Sequence, residues 1–464
     1  MEIQGFHLPG FKGRVVASKA GNTTILLPDL TPDDISRTVD TIMEKGAAIL
    51  PKFSTDDLAS IFGQVAEYWQ QQSAEKDQVV AAISDVTGLS RPVVDRSITV
   101  EQGNSGTADI LAAMDRELGN HQCLDHFVDD VKLRGKTRAW GPKLVAAVLT
   151  ANVPGLSYLP MVRSLMVKSP LAAKLSSGEP IFGPAWIKSL ARIEPELAEC
   201  IALFCWRGAN PDFEEALFKP APLVILYGGP QTIPRLRERV GPYKKILEHG
   251  HKIGVAMVGK EKLGNTAEAK KLAEKLAFDV AMFDQRACIA PQVVYVETGA
   301  GVSPQDFAEM VSIALAGLED ELPAGPITLD TAATLAQERN LAAFDAALSP
   351  VKSIFAAGTS TVVLEEKPGF EGVLPIRYLR MYPVSNLSEV IPLVAPHGLY
   401  LQNVGIAVDG ERLGVFAEKL AAVGVSHITS IGLMHRPTMR WHHDGMAAFA
   451  EMVRWSDIEM LEHH

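Results

Sequence analysis

Short apolar runs bounded by Gly, Pro or Asn alternate with amphipathic stretches through most of this chain. That alternation predicts strands buried on both faces and joined by crossover helices. Residues 144–150, 164–167, 201–206, 223–227 and 253–258 read as strands, with helices over 154–162, 184–192 and 232–240. A second α/β set begins near Gly259, with strands at 292–297, 361–366, 378–383 and 405–408. Ahead of both, residues 14–17 and 23–27 read as strands, and helices follow to about residue 120. Thr31-Pro32-Asp33-Asp34 and Ser54-Thr55-Asp56-Asp57 each place a capping hydroxyl before acidic first-turn residues, as a helix start requires. No internal repeat or low-complexity linker interrupts the pattern.

Composition narrows the class. The 464 residues are 47% hydrophobic and 21% charged, ordinary for a folded globular chain. A net charge of −11 argues against a nucleic-acid partner, which would want a basic face. No apolar run is long enough to span a bilayer. Met1-Glu2-Ile3-Gln4-Gly5 has neither the charged nor the apolar region of a signal peptide. Cys123, Cys200, Cys205 and Cys288 show no paired spacing, so neither a disulfide framework nor a zinc site is expected, and a cytoplasmic setting is. Leu461-Glu462-His463-His464 read as a tag remnant and carry no functional weight.

One cysteine stands apart. Cys288 lies in Phe283-Asp284-Gln285-Arg286-Ala287-Cys288-Ile289-Ala290-Pro291-Gln292, between a helical pattern and a β-branched, aromatic strand. A thiol at such a junction is placed to face a cleft, which a nucleophile needs. The other three cysteines read as structural. Leu226-Tyr227-Gly228-Gly229-Pro230-Gln231-Thr232 is a strand, a glycine pair and a helix start. Glycines there allow close backbone approach, and a helix N-terminus favours an anion; many such turns are only turns.

The Asp-Gln-Arg-Ala-Cys string before a strand resembles the nucleophile segment of the LuxC-type fatty acyl reductases, a branch of the aldehyde dehydrogenase superfamily. The resemblance implies an aldehyde dehydrogenase-like α/β fold of two doubly wound parallel-sheet domains with a small oligomerisation segment. Residues 1–258 would hold the N-terminal helices and the NADP-binding domain, and 259–445 the thiol domain. Residues 132–143 and 446–460 would bridge subunits of a homodimer or higher oligomer. Asn152 resembles the asparagine that polarises the substrate carbonyl, though Asn before a turn proline often serves the turn alone. Lys168, with Ser169, resembles the strand-end lysine that contacts the adenosine ribose; a solvated surface lysine is the other reading. Gly228, Gly229 and Thr232 would complete the cofactor contacts.

NAD-specific members of the superfamily commonly place a glutamate three residues after that lysine. Leu171 stands there instead, with Lys174 nearby, so NADPH is the expected cofactor. Glu248, in Leu247-Glu248-His249-Gly250-His251-Lys252, matches the base of hydrolytic relatives, but a helix from Pro242 would place it in a last turn. His249 and His251 are alternative proton carriers. Met434-His435-Arg436-Pro437-Thr438-Met439-Arg440-Trp441-His442-His443-Asp444-Gly445 precedes a supposed amphipathic helix. Its histidines lack the partners of a metal site, and none is expected; Arg436 and Arg440 are candidates for a substrate phosphate.

The implied reaction is NADPH-dependent reduction of a fatty acyl thioester, on CoA or an acyl carrier protein, to the aldehyde through an acyl-cysteine. An acyl-transferase or acyl-protein synthetase is a conceivable partner. Two alternatives stay open: a hydrolytic aldehyde dehydrogenase using Glu248, and a non-reducing acyl-transfer subunit.

Overall fold

The computed structural model describes residues 1–130, 134–371 and 376–459. Positions 132, 133 and 460 of the bridging segments, and the tag-like 461–464, lie outside the described residues. The chain divides into two compact units, one of residues 1–87, 97–250 and 438 onward, the other of 88–96 and 251–437.

The first unit is built on a five-stranded, wholly parallel sheet. Its order is Lys245–His249, Leu223–Tyr227, Val145–Val148, Leu171–Leu175, Ile201–Cys205. The three strands Val145–Val148, Ile201–Cys205 and Leu223–Tyr227 are buried at every residue, which is why they read as continuous apolar runs. Helix Pro32–Ile49 lays Ile35, Val39 and Ile42 on Ala146, Ala172 and Phe204 of this sheet. Its expected start is present as a capping box: the Thr31 hydroxyl accepts from the Asp34 N–H, and the Asp34 carboxylate from the Thr31 N–H. Ser54 and Asp57 repeat the device at helix Thr55–Gln70. Each cap contributes about 1 kcal/mol.

Two expected elements change type. Residues 164–167 are not a strand but the end of helix Tyr158–Met166 and the turn after it; the strand comes next, at Leu171–Leu175. Almost every residue of that helix is buried, so no polar stripe marks it as helical. Likewise, Lys245–His249 is the sheet's edge strand rather than the tail of a helix from Pro242. A separate antiparallel sheet in this unit joins Arg454–Glu459 to Gly135–Trp140 and then Val128–Asp130. In place of the helix expected after Gly445, residues 443–452 form only short turns at His443–Gly445 and Ala450–Met452.

The second unit carries a seven-stranded sheet. Its order is Ser353–Ala357, Ser360–Leu364, Tyr378–Val384, Pro291–Glu297, Ile253–Val258, Leu401–Ala407, His427–Ser430, and only the first pair is antiparallel. The strand 253–258 therefore belongs to this sheet. Gly254 is obligatory in it, because a Cβ there would sit 2.5 Å from the Ala290 carbonyl oxygen. No helix among the described residues is long and apolar enough to cross a membrane.

Candidate active site

Cys288 sits between helix Thr266–Ala281 and strand Pro291–Glu297. The chain leaves the helix through Phe283, Asp284 and Gln285, all left-handed, with φ of 57°, 48° and 61°. None is glycine, so the turn costs about 1–2 kcal/mol per residue and must be held by its surroundings. Asp284 is buried, and its Oδ1 accepts from Arg377 Nε at 2.9 Å while its Oδ2 accepts from the Gly325 N–H at 3.1 Å. The Gln285 amide donates to the Pro291 and Tyr378 carbonyls at 2.8 and 3.2 Å. Gln292 donates to the Gln285 carbonyl at 2.9 Å, and on the far side Asn403 donates to the Ile289 carbonyl at 2.8 Å.

Cys288 itself is half-buried. The other thiols are buried, and burial pushes Cys123 and Cys205 up to about 11 and Cys200 up to about 12. At neutral pH those three hold almost no thiolate.

The first unit places the expected cofactor residues unevenly. Lys168 follows a helix, not a strand, and has φ of 60°. Its ammonium is spent on Asp125 at 3.0 Å and on the Phe53 carbonyl. Ser169 and Leu171 are fully buried, so neither can face a ribose. The residue at the expected place is Lys174, near the C-terminal end of strand Leu171–Leu175. Desolvation lowers its pKa, its Nζ lies 5.3 Å from the Trp206 ring, and it makes no ion pair among the described residues. Three residues on comes Ser177, exposed. The nearby Glu179 is buried and accepts from the Ile181 and Phe182 N–H groups at 2.8 and 2.9 Å, which commits it to the start of helix Phe182–Ile193.

Gly228 and Gly229 do link strand Leu223–Tyr227 to helix Thr232–Val240. A Cβ on Gly228 would press Thr232 at 3.0 Å, whereas Gly229 has open space beside it. The Asn152 Oδ1 accepts from the Thr150 hydroxyl at 3.0 Å, leaving the amide N–H groups as its donors.

Along the edge strand, side chains alternate. Glu248 is gripped by Arg237 through two bonds of 2.6 and 2.9 Å. His249 is buried and donates from Nδ1 to Asp444 at 2.7 Å, its ring against both Tyr227 at 4.5 Å and His443 at 4.4 Å, which are themselves 6.3 Å apart. Donor atoms of His249, His443 and Asp444 lie within 4.8 Å of one another. The two imidazole planes, however, are nearly parallel at 18°, so their in-plane lone pairs do not converge on one ion.

Arg440 approaches Asp109 at 3.5 Å, and Arg436 is exposed in the second unit, where His435 is bound to Asp279 at 2.7 Å. Asp444 and Glu101 are the residues that pattern reading passed over. Burial pushes the Glu101 carboxyl up to about 7, against the opposing pull of Arg163. In the sequence Asp444 stands only within His443-Asp444-Gly445, with no sign of its His249 partner.

Solved structures define the class. Aldehyde dehydrogenase 21 of Physcomitrella patens superposes with a TM-score of 0.72 at 13% identity, over 99% of this chain and 98% of that one. The NADP-complexed glyceraldehyde-3-phosphate dehydrogenase GapN of Methanocaldococcus jannaschii gives 0.67 at 13% identity, over 93% and 95%. The fold is that of the aldehyde dehydrogenases. The sequence model of the acyl-CoA reductase (LuxC) family matches residues 50–455, and the chain belongs to that family. Long-chain acyl-protein thioester reductase 2 of Photobacterium leiognathi is 24% identical over 350 residues, 75% of this chain and 70% of that protein.

Proposed function

We propose that this protein reduces a long-chain acyl thioester to the aldehyde with NADPH, through an acyl group carried on Cys288. The observation that carries the reading is a half-buried thiol on a rigidly held turn in a LuxC-family chain whose other thiols are buried. The acyl donor class comes from relatives named as acyl-protein thioester reductases.

The Cys288 thiolate attacks the thioester carbonyl, the bond to the carrier sulfur breaks, and that sulfur leaves as a thiol after taking a proton. The Asn152 amide is the proposed donor to the developing oxyanion. Bound NADPH supplies the hydride. The resulting thiohemiacetal expels the Cys288 thiolate and frees the aldehyde. Of the two proton carriers the sequence offered, His249 is favoured, because Asp444 fixes its Nδ1–H and leaves Nε2 to exchange the proton.

The cofactor contacts are assigned to Lys174, Gly228, Gly229 and Thr232, and no longer to Lys168 or Ser169. A desolvated ammonium that makes no ion pair among the described residues, beside a strand end, suits a ribose or a phosphate. No observation favours the hydrolytic reading, since Glu248 is held by Arg237.

The test is intact-protein mass spectrometry with dodecanoyl-CoA and no cofactor. Parent protein should gain one acyl mass and Cys288→Ala none. Acylation that survives in the variant overturns the reading.

A further inference from the structure

We propose that Asp284 and Arg377 form a buried positioning clamp, which holds the left-handed turn ahead of Cys288 and so sets where the thiol meets the substrate carbonyl. The inference rests on Cys288 being the nucleophile.

The turn has no intrinsic reason to exist. Three consecutive non-glycine residues in the left-handed region are stable only where neighbours fix them. Asp284 supplies the fixing contact from the middle of the triplet, and both its carboxylate oxygens are engaged. Arg377 is wholly buried and itself left-handed, at φ of 52°. Besides Asp284, its guanidinium donates to the Leu322 carbonyl at 2.7 Å and reaches the Ala281 carbonyl at 3.5 Å. Ala281 is the last residue of the helix that leads into the turn, so one guanidinium ties the helix end to the turn.

A fully buried ion pair is a poor way to gain stability, since apolar packing of equal volume does as well. Its distinguishing property is direction. The planar guanidinium brings Nε and Nη2 to the same Asp284 oxygen, at 2.9 and 2.8 Å, an orientation that a lysine ammonium would not impose. The remaining contacts of the turn, through Gln285 and Gln292, are neutral hydrogen bonds.

The experiment compares two reactions of the same thiol in Asp284→Asn and Arg377→Lys. Acylation by dodecanoyl-CoA demands an oriented attack, whereas alkylation by iodoacetamide does not. With cooperative unfolding retained, acylation should fall about a hundredfold in Asp284→Asn and about tenfold in Arg377→Lys, while alkylation of Cys288 stays within about threefold. Acylation at the parental rate in a folded variant overturns the proposal. Equal loss of both reactions, or loss of cooperative folding in both variants, would assign the pair to stability alone and also overturn it. Cys288→Ala is assayed first: if it still acylates, the nucleophile reading itself has failed, which neither clamp variant could mimic.

Discussion

A partly buried ammonium with no carboxylate at ion-pair distance is costly, and among the described residues Lys174 bears that cost near the end of a central strand. Lys168, twice satisfied, does not. The sequence offered both lysines at the end of apolar stretches, Leu165-Met166-Val167 and Leu171-Ala172-Ala173. Nothing in periodicity distinguishes a buried helix end from a buried strand, so the pattern of Leu165-Met166-Val167 predicts a strand where the structure has a helix end. Counting from Lys174 leaves the cofactor argument standing, because Ser177 also lacks a carboxylate to repel a 2′-phosphate. Parent enzyme should therefore prefer NADPH, and Ser177→Glu should shift the ratio of kcat/KM values toward NADH by about tenfold or more. A parent that prefers NADH would refute the charge argument.

Glu101 makes a separate prediction from its raised pKa of about 7. A carboxyl whose folded pKa exceeds its unfolded value stabilises the protein below the unfolded pKa, and that contribution is lost as pH rises through about 7. Glu101→Gln, always neutral, should match the parent near pH 4, below the ordinary carboxyl value of 4.5, and exceed it near pH 8. The gain should be on the order of 2 kcal/mol, below the full shift because the group is not wholly sealed from water. Urea unfolding at the two pH values checks this, and a difference independent of pH would count against it.

At the scale of the element, the edge strand Lys245–His249 bears on the proposed choice of reductase over hydrolase. Read as a helix end, Glu248 had no defined neighbour. As a strand residue it faces Arg237, whose helix Thr232–Val240 had been located correctly, while His249 takes the opposite face. The strand is illegible because strict alternation is absent: Lys245, Ile246, Leu247, Glu248 and His249 place two apolar residues side by side in a half-exposed edge. Other strands, such as 223–227, were legible to the residue because burial on both faces leaves an unbroken apolar run. Glu248→Gln should cost at most about 1 kcal/mol, as a partly exposed ion pair does. Thioester reduction should stay within about threefold of the parent, whereas loss of a true general base would cost about a hundredfold. Free acid released rapidly by the parent acyl-enzyme, and abolished by Glu248→Gln, would return the hydrolytic reading.

For the whole molecule, the open question is assembly, and the three-stranded sheet addresses it. Within the expected bridging segment 446–460, Arg454–Glu459 is a strand, paired on one side to Gly135–Trp140. Its other side has no strand partner among the described residues, and Trp455 and Ile458, on opposite faces of the strand, are 40% and 45% exposed. A free edge bearing large apolar side chains invites another strand, even with Arg454, Asp457 and Glu459 exposed beside them. We propose that this edge is covered by a second copy of the chain. Trp455→Glu combined with Ile458→Lys places guarding charges there without touching the pairing to Gly135–Trp140. Light scattering should then show the parent as a dimer or larger and the double variant as a monomer, with cooperative unfolding preserved. A parent that is monomeric at micromolar concentration, or a variant that keeps its mass, would show that the edge is not the seam.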